Sequence, residues 1–122
     1  MARMIMMSGM AECADQAVTI NGNLRTTSEP CGMWCDYSDL AAWRSAARQR
    51  VYEVVARANL SKEGLAQAKN LAAEIESIQP STMLDVGAVT HRLAQLYRYA
   101  NCLTTVMPGE DGPVIPDTPT KP

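Results

Sequence analysis

The four cysteines, Cys13, Cys31, Cys35 and Cys102, are the side chains best suited to chemistry. Cys31 and Cys35 form a C-x₃-C motif, whereas thioredoxin-like sites and most zinc knuckles use C-x₂-C. Cys13 and Cys102 each lack a second cysteine nearby, so the sequence does not encode a paired-knuckle zinc site. Three uses remain open: reduced thiols buried as small apolar groups, disulfides, or a metal or redox module on Cys13, Cys31 and Cys35. Of these three, we expect reduced thiols.

The other titratable residues give little support to an enzyme. His91 is the only histidine, which limits acid–base chemistry near neutral pH. If His91 and Cys102 share one helix, about 16 Å of helical rise separates them, so they cannot bind one metal ion together. Glu74 and Glu76 fall on different helix faces, and no glycine-rich phosphate loop is present. We therefore predict a protein that is not an enzyme and that binds no cofactor.

Charge and hydropathy restrict the partners. The chain of 122 residues has a net charge of −2, whereas proteins that neutralise nucleic-acid phosphates are usually basic. Nucleic acid is therefore not expected as the main partner. No stretch approaches the ~20 apolar residues needed to span a bilayer. The N-terminal apolar run of Met4–Met7 is shorter than the ~7–15 residues of a secretory signal. We expect synthesis in the cytoplasm and no membrane partner.

The stretch from Val86 to Met107 shows the clearest periodicity in the chain. Its apolar residues alternate in steps of three and four, which is the spacing of a buried helical seam. The pattern predicts a helix that opens at Thr82, with Asp85 near its start, and runs to about Met107 before Pro108. The residues of this seam are Val86, Val89, Leu93, Leu96, Ala100, Leu103 and Met107.

Two further amphipathic helices precede this one. The first is capped by Asp36 or Ser38 and ends near Asn59, and the second is capped by Ser61 and stops before Pro80. Short connections between amphipathic helices favour antiparallel neighbours. We therefore predict a mainly α fold, with an up-down-up three-helix bundle over residues 38–107.

The segments on either side of the bundle differ from it in composition. Residues 1–37 form a predicted N-terminal arm with a β-hairpin over residues 16–27, because Asn21-Gly22 between β-forming residues favours a type I′ turn. An irregular loop is the alternative. Residues 108–122 are rich in proline and are predicted to form an extended tail.

Five residues are our candidates for contact with a partner. Tryptophan is enriched in interface cores, and two arginines on one helix face would suit an acidic surface. The alternative for the arginines is a solvated face with local ion pairs. The remaining two candidates lie in the tail. The five residues are Trp34, Arg44, Arg48, Val114 and Ile115.

These observations favour a structural or adaptor subunit of a larger assembly, as in a virus or phage particle, whose terminal arms contact neighbouring protein chains, copies of itself included. The first alternative is a small acidic regulator or inhibitor that binds one protein through a helix face. The second is the cysteine-based metal or redox module.

Overall fold

The structure, a computed structural model, describes residues 13–106 of the chain. Within this range, an antiparallel hairpin precedes three α-helices, and a single 3₁₀ turn at Met83–Asp85 stands before the third helix. The predicted mainly α fold, with three helices and an N-terminal hairpin, is confirmed. The predicted tail at residues 108–122 lies outside the described residues. The elements are β1 (Ala17–Ile20), β2 (Asn23–Thr26), α1 (Tyr37–Arg57), α2 (Lys62–Ser77) and α3 (Val86–Ala100).

The turn of the hairpin consists of Asn21 and Gly22, whose φ angles are 53° and 82°. A type I′ turn requires positive φ at both positions, and Asn-Gly tolerates it best. Ile20, which is 2% exposed, joins the core of the helices. The side-chain amide of Asn21 donates a hydrogen bond of 2.9 Å to Ser38 Oγ. Because an isolated two-stranded hairpin is marginally stable, these contacts with the helical part hold it in place.

Helix α1 begins with a capping box. Asp36 Oδ1 accepts from the backbone N–H of Asp39 at 2.8 Å, and Asp39 Oδ2 accepts from that of Asp36 at 3.1 Å. Of the two predicted caps, the structure therefore uses Asp36 and not Ser38. The helix ends at Arg57, two residues before the predicted end near Asn59. Such a cap contributes roughly 1 kcal/mol to stability.

The cap of helix α2 is Ser61, as predicted, and its Oγ accepts a 3.0 Å hydrogen bond from the N–H of Gly64. The helix ends at Ser77, before Pro80. Its first turn lies directly against the backbone of Thr104. A methyl group at Gly64 would overlap the Thr104 carbonyl oxygen and would lie 3.1 Å from its carbon. Only glycine fits at this position.

Helix α3 ends at Ala100, so the prediction of a helix continuing towards Met107 is wrong. The Asn101 side-chain amide bonds the Tyr97 carbonyl at 3.1 Å, and the chain then turns. Residues 103–106 run back along the start of α2, where Thr105 bridges Leu60. Leu103 is still buried, at 6% exposure. Its place in the three-four spacing therefore reflects burial and not helical structure.

The three helices pack around Trp43, which is fully buried. Its ring meets that of Tyr97 edge-on, with 5.9 Å between the centroids, so α1 and α3 lie side by side. Helix α2 runs opposite to α1, since Arg44 in the first half of α1 bonds the Ile78 carbonyl after the end of α2, whereas Val55 near the end of α1 lies beside the start of α2. The buried apolar core of the helices consists of Leu40, Trp43, Ala47, Val51, Ala68, Leu71, Ile75, Val86, Leu93, Ala94, Leu96 and Ala100.

Both cysteine pairs form disulfides, Cys13–Cys102 and Cys31–Cys35, so the expectation of reduced thiols is wrong. The Cα atoms lie 5.9 Å and 5.2 Å apart, within the usual disulfide range. The first bond joins the segment before β1 to the turn after α3. This proximity arises from the packing of the hairpin on the bundle, which sequence spacing does not reveal. No helix among residues 13–106 is both long and apolar enough to cross a membrane.

Candidate functional site

Four large apolar side chains are exposed on one side of the molecule, and we call them the apolar face. Their exposed fractions are 91% for Met33, 73% for Trp34, 71% for Met83 and 93% for Leu84. All four line one shallow depression of about 560 Å³, which His91 also borders. Large apolar side chains that are exposed around one depression are candidates for an interaction site, although polar residues share this lining.

The connector that carries Met33 and Trp34 is anchored to the core. The Cys31–Cys35 disulfide closes a short loop around these two residues. Just before this loop, the buried indole of Trp43 donates a 2.8 Å hydrogen bond to the Pro30 carbonyl. The two exposed side chains are therefore presented from a loop that is fixed at its base, which lowers the entropy lost when a partner binds.

The other half of the apolar face comes from the 3₁₀ turn before α3. Thr82 Oγ1 accepts from the N–H of Leu84 at 3.1 Å, and Asp85 Oδ2 accepts from that of Ser81 at 3.0 Å. The predicted start at Thr82 therefore caps the 3₁₀ turn, while α3 itself begins at Val86. Because the buried seam also begins there, the side chains of Met83 and Leu84 remain outside the core.

Gly87 lines the depression and has free space beside its Cα atom. A methyl group at this position would have no neighbour within 4 Å, so close packing does not explain the glycine. His91, one helical turn further along, is exposed. It lies at the border of the apolar face and off the buried seam.

The predicted partner-binding residues do not form one cluster. Trp34 belongs to the apolar face, but Arg44 and Arg48 lie on α1 against the end of α2. Arg44 donates to the backbone carbonyls of Ile75 and Ile78, the latter at 3.0 Å. Arg48 pairs with Glu76 at 2.5 Å, and this hydrogen bond lowers the pKa of the Glu76 carboxyl. Both arginines thus have partners within the chain.

The remaining two candidates, Val114 and Ile115, lie outside the described residues. Sequence reasoning missed three members of the apolar face: Met33, Met83 and Leu84. For Met83 and Leu84 the sequence pattern did indicate exposure. Both precede the first seam residue and belong to no apolar stripe, so neither was expected in the core of the helices.

A second apolar surface lies between α1 and α2, and we call it the α1–α2 groove. Its volume is about 740 Å³, and its walls include Val51, Tyr52, Val55 and Leu65. Leu65 is a large apolar residue in the first turn of α2, yet it is 36% exposed. The basic side chains of Lys62 and Lys69 also line the groove, together with Arg48, whose charge is paired with Glu76. This arrangement combines an apolar floor with a positively charged rim.

Asp15 has the most clearly shifted carboxyl among the described residues. Hydrogen bonds from Ser28, Thr27 and Gln16 lower its pKa to about 2, and the Ser28 hydroxyl contributes most. Its Oδ1 also accepts from the Ser28 N–H at 2.9 Å. The carboxylate therefore stays ionised near neutral pH and caps the turn after β2, where it is unsuited to proton transfer.

In their disulfide form Cys13, Cys31 and Cys35 offer no thiolate to a metal ion, and a coordinating cysteine must be a thiolate. Within residues 13–106, no group of three histidine, cysteine or acidic side chains is placed to hold a metal ion. A redox role for the Cys31–Cys35 pair remains a prediction.

The fold and the two surfaces together define a small, disulfide-linked helical protein with one exposed apolar face and one basic-rimmed groove. No protein-family model, curated protein or solved structure matches the chain.

Proposed function

We propose that the protein is a non-enzymatic structural or adaptor subunit of a larger protein assembly, such as a virus or phage particle. The observation that carries this proposal is the apolar face. Met33 and Leu84 are more than nine-tenths exposed in the single chain, although burial of such side chains is favourable by roughly 1.5–3 kcal/mol each. A neighbouring protein that covers the face would gain this energy.

The composition of the face supports a protein partner. Trp34 supplies a large amphipathic ring of the type that dominates binding energy at interface centres. Met33 and Met83 are flexible enough to adapt to the shape of an opposing surface. The chain's net charge of −2 gives no reason to expect nucleic acid on this face.

The disulfides refine the proposed location. We expect the chain to be synthesised in the cytoplasm and its cysteines to pair once the assembled particle meets an oxidising environment, where disulfides persist.

The alternative function is that of a small regulator that binds one protein through a helix face. The α1–α2 groove supports this alternative, because it is formed by two such faces.

Sedimentation of the tagged chain from cells that produce it tests the proposal. We expect the chain in a complex far larger than 13.3 kDa. The double variant Trp34→Ser/Leu84→Ser should sediment as the free chain. Leu24→Ser is the matched control, since Leu24 is also 73% exposed but belongs to neither surface, and it should remain in the complex.

Two outcomes would contradict the assembly role. A discrete complex with a single copy of one partner would support the regulator instead. Sedimentation of the unaltered chain as a free monomer would exclude both functions. Circular dichroism and urea unfolding of the double variant establish that any loss of the complex does not come from misfolding.

A further inference from the structure

The α1–α2 groove is an apolar surface without a covering element among the described residues. Tyr52 is 72% exposed, Val55 41% and Leu65 36%, and all three line the groove. The amines of Lys62 and Lys69 stand beside this apolar surface. A suitable occupant therefore combines aliphatic side chains with flanking carboxylates.

The described chain ends next to this groove. The N–H of Val106 donates to the Asn59 carbonyl at 2.9 Å, and Thr104 accepts from the N–H of Ser61 at 3.1 Å. Both contacts lie at the start of α2, close to the groove residues Lys62 and Leu65. Val106, the last described residue, therefore lies near the start of α2, whose residues Lys62 and Leu65 line the groove.

The sequence that follows has the required chemistry. Val114 and Ile115 form an aliphatic pair, preceded by Glu110 and Asp111 and followed by Asp117. Pro113 and Pro116 stand on either side of the pair. Proline favours an extended backbone and reduces the entropy lost when a segment is ordered.

The connection is long enough. The eight residues from Val106 to Val114 span up to about 26 Å when extended. The stretch of α2 that lines the groove, from Lys62 to Ala72, is about 15 Å long. Attachment to the same chain also gives a short segment an effective concentration on the order of millimolar.

We propose that residues 110–117 bind in the α1–α2 groove of their own chain. Val114 and Ile115 contact the apolar floor between Tyr52 and Leu65, and the acidic residues face Lys62 and Lys69. This inference replaces the expected contact of Val114 and Ile115 with a neighbouring chain, whereas the assembly role on the apolar face does not depend on it.

Methyl NMR of the full chain tests this proposal. We expect nuclear Overhauser contacts between the Ile115 methyl groups and the Tyr52 ring, unchanged on dilution. Val114→Ser/Ile115→Ser should shift the methyl resonances of Val55 and Leu65, while the matched control Leu24→Ser should leave them in place. Addition of a synthetic peptide of residues 110–117 to the double variant should return them towards their original positions.

Charge reversal provides a second measurement that does not depend on the apolar contacts. Lys62→Glu/Lys69→Glu should release the segment, and Glu110→Lys/Asp111→Lys/Asp117→Lys in the same chain should restore the contacts. Both lysines are exposed, so the folded bundle should tolerate the change.

Two results would contradict the binding of residues 110–117 in the groove of their own chain. Groove resonances that are identical with and without Val114→Ser/Ile115→Ser would overturn the proposal. Contacts that disappear on dilution would also overturn it and would place the segment of a second copy in the groove. Trp34→Ser/Leu84→Ser should leave these resonances unchanged, so failure of the assembly role and failure of this proposal are distinguishable.

Discussion

Two glycines near helix starts should respond in opposite ways to alanine. At Gly87 the added methyl group meets nothing within 4 Å, so Gly87→Ala should stabilise the fold by about 0.5–1 kcal/mol through helix propensity. At Gly64 the methyl group would overlap the Thr104 carbonyl oxygen and lie 3.3 Å from Leu60 Cβ. Overpacking of this kind costs roughly 1–3 kcal/mol.

We expect a cost near the upper end of that range at Gly64, because the overlapping atom belongs to the backbone. Thr104 is held by its bond from the Ser61 N–H at 3.1 Å and by its own N–H, which donates to Gln67 Oε1 at 2.9 Å. The higher helix propensity of alanine offsets about 1 kcal/mol of this cost, so Gly64→Ala should lower the free energy of unfolding by about 2 kcal/mol. The two variants should therefore differ by about 3 kcal/mol.

Urea unfolding of both oxidised variants measures this difference. With a typical slope of ~1.5 kcal/mol per M, the two midpoints should differ by about 2 M urea. Comparable slopes would show that the compactness of the unfolded state has not changed. If Gly64→Ala is as stable as Gly87→Ala, residues 103–106 do not lie against α2 in solution, and the account of where α3 ends would be refuted.

Three further predictions concern the disulfide, the turn carboxylate and the core indole. The Cys13–Cys102 bond spans 89 residues, so replacing both cysteines with serine should cost about 4–5 kcal/mol by loop entropy; a loss below 1 kcal/mol in urea unfolding would contradict this. The pKa of Asp15 is depressed to about 2 from 3.8, so its stabilising effect is present above about pH 4 and is lost as the pH falls towards 2. The stability difference between the native chain and Asp15→Asn should shrink over this window, and a constant difference from pH 5 to 2 would count against the turn cap. Trp43→Phe leaves the Pro30 carbonyl without its 2.8 Å hydrogen bond and should lower the free energy of unfolding by roughly 2–4 kcal/mol. Amide hydrogen exchange in the 31–35 loop should also become faster, because the base of that loop is no longer fixed to the core.

Features that depend on neighbouring residues were predictable. The Asn21-Gly22 turn, the helix cap at Ser61 and the stop before Pro80 each follow from the chemistry of a few consecutive residues. The apolar stripes likewise located three helices, because helical periodicity is a local property of the chain.

The candidate site was less accessible from the sequence. Trp34 was identified from its residue type, but Met33 and Leu84 join it only because two distant segments meet at one depression. Arg44 was predicted as a partner contact, yet its guanidinium binds carbonyl groups at the end of α2. Whether an arginine faces solvent or braces a helix depends on what is packed opposite it.

The sequence by itself determined the order of the hairpin and the three helices, since turns, caps and apolar stripes depend on residues that are close together in the chain. Only the tertiary structure decided that Cys13 pairs with Cys102, that α3 ends at Ala100, and that Gly64 requires glycine while Gly87 does not. Each of these depends on which backbone lies opposite in the folded chain. That information arises from packing between segments up to 89 residues apart and leaves no periodic signal in the sequence.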